Sequence, residues 1–90
     1  MRYLIIYDIT LDNLRSYVAE KLKDYGLKRI QKSAFIGDLE RFRLNSLVIE
    51  LNKVIVDDNV KIFPLCSADY KGRISIGKEF EEDKEKTLIV

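Results

Sequence analysis

The sequence predicts an α+β fold, a small antiparallel sheet with two helices packed on one face. Three observations lead there. The chain of 90 residues opens on an apolar and aromatic run, Tyr3-Leu4-Ile5-Ile6-Tyr7-Asp8-Ile9, rich in residues that suit a pleated surface. Two later stretches place apolar residues at spacings of three and four, the period of a helix buried along one stripe. Between and after them lie alternating or β-rich runs, giving the order β-α-β(β)-α-β.

The first run is unbroken enough to be expected buried on both faces and therefore central in its sheet. Asp8 sits near its C-terminal end, where a carboxylate needs a partner, a metal or solvent. Two readings are open there. Asp8 caps the next helix or begins the turn, or it is a metal ligand or acid/base group on a strand end, where sheet-based sites are commonly built. Thr10, Asp12 and Asn13 are candidate N-caps. Leu11, Leu14, Val18, Leu22 and Tyr25 then form one stripe, and Gly26 supplies the left-handed residue that ends the helix. Arg15, Lys21 and Lys23 fall off the stripe and are expected in solvent. Arg15 is near enough to the helix start to lie beside the end of the first strand and near Asp8.

Residues 27–39 alternate in part, with Ile30, Ala34 and Ile36 against Arg29, Gln31 and Ser33. They form one long bent strand or two short ones with a kink around Lys32-Ser33. Phe35 is either core or an exposed stacking platform for a base. Asp38 is a candidate cap for the second helix, whose stripe is Leu44, Leu47, Val48, Leu51, Val54 and Ile55. Asp57-Asp58-Asn59 ends it with turn chemistry. Val60, Ile62, Phe63, Leu65 and Cys66 form the next strand, which Pro64 assigns to a sheet edge or a bulge because it lacks a backbone N–H. Ser67 to Gly72 reads as a turn, and Arg73 to Gly77 as a short strand with Ile74 and Ile76 on one face. Residues 1–77 thus read as one domain of the ferredoxin-like βαββαβ type, an arrangement that hosts many unrelated functions. Residues 78–90 read as a charged connector and an extra C-terminal strand, Leu88-Ile89-Val90, that pairs with a partner subunit or folds back on its own sheet.

Composition excludes much chemistry. Without His there is no imidazole base, no Ser-His pair and no His-ligated zinc. The single Cys66 forms no internal disulfide and no zinc cluster, and a reducing, cytoplasmic setting is the natural expectation. There is no Gly-rich phosphate loop. Hydrolytic chemistry here would fall to carboxylates with a hard ion such as Mg²⁺ or Mn²⁺. No apolar run reaches the roughly 20 residues of a membrane span, and no signal-peptide pattern opens the chain. Net charge is +1, but Lys78 to Lys86 sets three Lys against five acidic residues, leaving +3 for residues 1–77. That is only mildly basic.

Together these residues resemble the Cas-two family of small CRISPR-associated proteins, the lesser partner in spacer acquisition, described as endoribonucleases. Three features carry the likeness over nearly the full length. One is the apolar strand ending in Tyr7-Asp8 with a helix at once behind it. Another is Arg29-Ile30-Gln31-Lys32-Ser33-Ala34-Phe35, similar to the family's Arg-x-Gln-x-Ser-Val-Phe with Ala34 in the Val place. The third is the charged tail closing on Leu88-Ile89-Val90. The resemblance implies that Asp8 is the metal-binding and catalytic carboxylate, with Tyr7 its structural neighbour. It implies that Arg15, Arg29 and Phe35 affect nucleic-acid contact or cleavage. Tyr17 stands near where some relatives carry a second basic residue. It also implies a homodimer, and one carboxylate per chain agrees, since Mg²⁺ usually takes one or two carboxylates together with water and substrate oxygens. Two function classes follow. One is a Mg²⁺-dependent endonuclease on single-stranded RNA or duplex DNA. The other is a non-catalytic dimeric adaptor that bridges Cas-one integrase dimers and supports the DNA being inserted. A plain RNA-binding domain is a third, and the chain lacks the glycine-aromatic signature of an RRM.

Overall fold

The computed structural model describes residues 1–80. Strand β1 (Arg2–Asp8) leads into α1 (Asp12–Asp24), then β2 (Lys28–Gln31), β3 (Ala34–Asp38), α2 (Arg41–Val54), β4 (Asn59–Leu65) and the short α3 (Ser67–Lys71). The four strands form one antiparallel sheet in the order β2-β3-β1-β4. The expected βαββαβ order is present and β1 is central. Pro64 lies on β4, an edge strand, where a missing N–H is tolerated.

Residues 27–39 resolve as two strands joined at Lys32-Ser33, with a register irregularity between Arg29 and Gln31. Helix α1 stops at Gly26, whose φ of +87° an L side chain adopts only under strain. The Gly26 N–H donates to Lys23 O at 2.9 Å and the Leu27 N–H to Leu22 O at 3.1 Å, the paired bonds of a Schellman cap. Leu27 then folds tightly over β3. A Cβ at Gly37 would meet Leu27 Cδ2 at 2.8 Å, so that strand position accepts no side chain without displacement.

Both helices cover the same face. Each crossover joins two parallel strands across one antiparallel neighbour, and right-handed connections running in opposite senses bring both to one side. Tyr3, Ile5 and Tyr7 of β1 point there with Phe35, and pack against Val18 and Leu22 of α1 and Leu44, Leu47 and Leu51 of α2. The alternate residues Leu4 and Ile6, with Phe63 opposite Leu4, face away; Ile6 is 37% and Phe63 44% exposed. The expectation of burial on both faces is therefore corrected: β1 is central, but one of its faces is open.

Other boundaries shift for local reasons. Asp38 does not cap α2; it ends β3, opposite Arg2, and the N-cap is Glu40 without a side-chain bond. At α1 the N-cap is Leu11, exposed rather than in the buried stripe, and none of Thr10, Asp12 or Asn13 fills that position. Ala19 is buried in its place. Ser67 to Lys71 is a one-turn helix rather than a plain turn. Arg73 to Gly77 is not a strand: it pairs with no described strand, and Ile74 and Ile76 are 87% and 92% exposed. Alternation supplied the two-sided pattern, but a strand also needs a neighbour's backbone, and no described residue offers one. The predicted Leu88-Ile89-Val90 strand lies outside the described residues. No helix of the described residues is long and apolar enough to cross a membrane.

Candidate functional site

The ladder sets Asp8 at the last position of β1, on the open face, opposite Asn59 of β4. Lys61, two residues on and opposite Ile6, shares that face. Asp8 is exposed and has no ion pair or side-chain hydrogen bond among the described residues. Of the alternative reading, the helix cap does not hold, because the N-cap of α1 is Leu11, whereas Asp8 does begin the connection between β1 and α1. Asn59 and Lys61 escaped the sequence reading. The first belonged to a turn signal and the second to a strand's polar face, and only the register puts them beside Asp8.

The connection after Asp8 is clamped from two sides. Arg15 Nη1 donates to Ile9 O at 3.0 Å and to Thr10 O at 3.2 Å, while its Nη2 pairs with Asp12. From β4's approach, Asp58 Oδ1 accepts from the Thr10 N–H at 3.3 Å and from its hydroxyl at 3.4 Å. Arg15 is thus half-buried rather than a freely solvated side chain. It lies beside the end of β1, as its place near the helix start predicted.

Tyr7 is buried under this end. Its N–H donates to Ser33 O at 3.0 Å and its hydroxyl to Lys32 O at 3.2 Å, which ties β1 to the hairpin turn. Its ring stacks with Phe35, centroids 6.3 Å apart, and the Arg29 guanidinium lies 5.1 Å over the Phe35 ring. Tyr7, Phe35 and Arg29 therefore form one row on the helix-covered face, and Asp8 is on the other. Phe35 has no exposed surface. The stacking-platform reading is corrected, since a fully buried ring offers no face to a base; Phe35 is core.

Asp8 offers hard carboxylate oxygens, the donor type that Mg²⁺ or Mn²⁺ takes. Among the described residues no group of three or more His, Cys, Asp or Glu comes together. The donor fits such an ion in kind, and a single carboxylate leaves most of its coordination to be filled from elsewhere. The perturbed titrating groups lie elsewhere. The Tyr25 hydroxyl donates to Glu50 Oε2 at 2.5 Å and Lys21 Nζ lies 3.3 Å from Oε1, linking α1 to α2. The Tyr25 bond, then Lys21, hold Glu50 below the usual carboxylate range, and Glu50 in turn raises both partners. This cluster joins helices and is remote from Asp8's face.

Residues 1–73 match the family model described as "CRISPR associated protein Cas2". The chain is similar to "CRISPR-associated endoribonuclease Cas2" of Korarchaeum cryptofilum, 44% identical over 81 residues that cover 87% of this chain and 86% of the relative. It is similar to part of a "CRISPR-associated endonuclease Cas1/endonuclease Cas2 fusion" of Thermoproteus tenax, 37% identical over 69% of this chain and 24% of that one. In fold it resembles the crystal structure of Streptococcus pyogenes Cas2, with a TM-score of 0.74, 23% identity and coverage of 86% of this chain and all of that one. A Tyr-Asp strand end, a central β1 in a 2-3-1-4 sheet and these matches converge: the chain belongs to the CRISPR-associated Cas2 family.

Proposed function

We propose that the chain is a metal-dependent endoribonuclease that acts as a homodimer, with Asp8 at its catalytic centre. The observation that carries this is the carboxylate itself. It is exposed, committed to no other side chain among the described residues, and placed at the end of a rigid central strand. RNA is put ahead of duplex DNA because the relative at 44% identity is named an endoribonuclease. A second copy is supported by the open face of the sheet, where Ile6 and Phe63 are exposed.

Two Asp8 carboxylates brought together by a two-fold axis would hold Mg²⁺ or Mn²⁺. When bound, the ion supplies Lewis-acid polarisation of the scissile phosphodiester. Arg15 positions the strand end through Ile9 O and Thr10 O. Tyr7 holds β1 against the hairpin turn, so the Asp8 backbone does not shift as substrate arrives. Arg29 acts from the opposite face, through the packing of Phe35 and Tyr7.

The test is a Mg²⁺ titration of cleavage of single-stranded RNA and of duplex DNA, wild type beside Asp8→Asn. Metal-dependent RNA cleavage that is lost in Asp8→Asn supports the reading. Equal activity in both proteins, or none, overturns it. The second reading is the adaptor, favoured by the Thermoproteus tenax protein in which a Cas1 and a Cas2 are one chain. In it the dimer binds a Cas-one integrase, and Asp8→Asn leaves that complex intact.

A further inference from the structure

We infer that Asp58 is a positioning residue for the Asp8 carboxylate. Its side chain closes the β1–β4 ladder beyond the last backbone pair and so fixes the strand end that carries the metal ligand. The inference rests on the proposed function, since it gives Asp58 a part in that same site, played through the backbone alone.

The ladder between β1 and β4 ends at the pair Asp8–Asn59. Past that pair the two chains diverge, because β1 leaves the sheet for α1 while β4 is entered from the turn after α2. A strand end frays at such a place, where its next backbone groups lack a partner. Asp58 stands immediately before Asn59. Its Oδ1 accepts from the Thr10 N–H at 3.3 Å and from the Thr10 hydroxyl at 3.4 Å. One carboxylate oxygen thus takes the place of the next backbone rung, between residues 48 positions apart.

The rest of the connection is anchored by other groups. Ile9 is buried in the core, and its carbonyl and that of Thr10 accept from Arg15 Nη1. Tyr7, on the near side of Asp8, is tied to the hairpin turn through its N–H and its hydroxyl. Asp8 is therefore bracketed by held residues, while its own carboxylate is committed to no side chain among the described residues. That division suits a metal ligand, whose backbone must be fixed by its neighbours and whose oxygens must stay free. Among these anchors Asp58 is the one that can be removed cleanly. Tyr7 is part of the core and Arg15 also pairs with Asp12, whereas the Asp58 side chain bonds only to Thr10 among the described residues. Both of its bonds are long and exposed to solvent, so they add little to global stability, and their effect is local.

The experiment compares wild type, Asp58→Ala, Asp58→Asn and Asp8→Asn as full chains. Three quantities are read: hydrogen exchange of the Thr10 amide against that of buried Ile5 by NMR, Mn²⁺ affinity by electron paramagnetic resonance, and kcat and KM for cleavage of single-stranded RNA. In Asp58→Ala the Thr10 amide is expected to exchange faster while Ile5 is unchanged. Its Mn²⁺ affinity and its kcat are each expected to fall roughly tenfold, with KM for RNA unchanged. Asp58→Asn keeps an oxygen acceptor in place and restores most of each loss. A purely structural role would lower the unfolding midpoint and leave Mn²⁺ affinity of the folded protein as it was. If Asp58→Ala matches wild type in Mn²⁺ affinity and kcat while Asp8→Asn loses both, the clasp is refuted and the nuclease stands. If Asp58→Asn falls as far as Asp58→Ala, the charge and not the bonds to Thr10 is what counts, and positioning is overturned. If Asp8→Asn binds Mn²⁺ and cleaves as wild type does, or wild type does neither, the proposed function falls and the inference with it.

Discussion

The two faces of the sheet use the same strand in opposite ways. On the covered face, Tyr3, Ile5, Tyr7 and Phe35 are closed over by two helices, and nothing there is left to meet a ligand. On the open face, Leu4, Ile6, Asp8, Lys61 and Phe63 alternate apolar and charged groups, and most are exposed. A two-residue period thus separates the residues that hold the fold from those left open to solvent within a strand of seven residues. Resemblance in sequence gathered Asp8, Arg29 and Phe35 into one site, whereas the ladder puts them on two faces. In the proposed reading Phe35 and Arg29 act through stability and position, and Asp8 acts directly.

The comparison can be broken most severely on the covered face. Phe35→Ala is expected to destabilise by about 3–5 kcal/mol, as for other buried aromatics, and a urea titration would read it as a lower midpoint. A loss below 1 kcal/mol would mean that the ring is not the core element argued here. Next comes Asp8→Asn on the open face. Metal-dependent RNA cleavage should drop by about 100-fold or more with the melting temperature little changed, since an exposed carboxylate contributes little to folding. A large fall in stability together with activity would blur the division between the faces. Third, Phe63→Lys should leave the monomer folded and shift the protein from dimer to monomer in sedimentation; an unchanged dimer would place the partner elsewhere. Smaller still, Arg15→Leu removes the donor to Ile9 O and Thr10 O, costing about 1 kcal/mol given its partial exposure. It should reduce cleavage more than it reduces RNA affinity.

The smallest effect tests a region outside both faces. Glu50 is held below its ordinary range by Tyr25 and Lys21, so its contribution is present above the unfolded carboxylate pKa and fades as pH falls through the lowered folded value. Tyr25 and Lys21 are raised, so their share is complete below their ordinary values and is lost as pH rises through the raised ones. The stability difference between wild type and Glu50→Gln should therefore be greatest near neutrality and shrink at both extremes. A flat difference from acid to alkaline pH would remove the clasp from the account.

Legibility followed the range of the interactions. Helix α1 was readable down to its stop at Gly26, because a stripe and a cap are local. The kink at Lys32-Ser33 and the edge position of Pro64 were readable for the same reason. Arg15 was misjudged as solvated because its carbonyl partners are held in place partly by Asp58, far along the chain. Arg73 to Gly77 alternates like a strand, but hydrogen-bond pairing depends on a neighbour that no local pattern reveals.

By itself, the sequence determined the element order, the central place of β1, the exclusion of imidazole and thiolate-cluster chemistry, and Asp8 as the candidate carboxylate. Composition and period are properties of single residues and short windows, so they survive without coordinates. Only the tertiary structure decided which face each residue takes, that Phe35 is closed to any base, and that Asn59 and Lys61 stand beside Asp8. Those outcomes rest on strand register and helix side, which long-range packing sets and no short stretch of sequence contains.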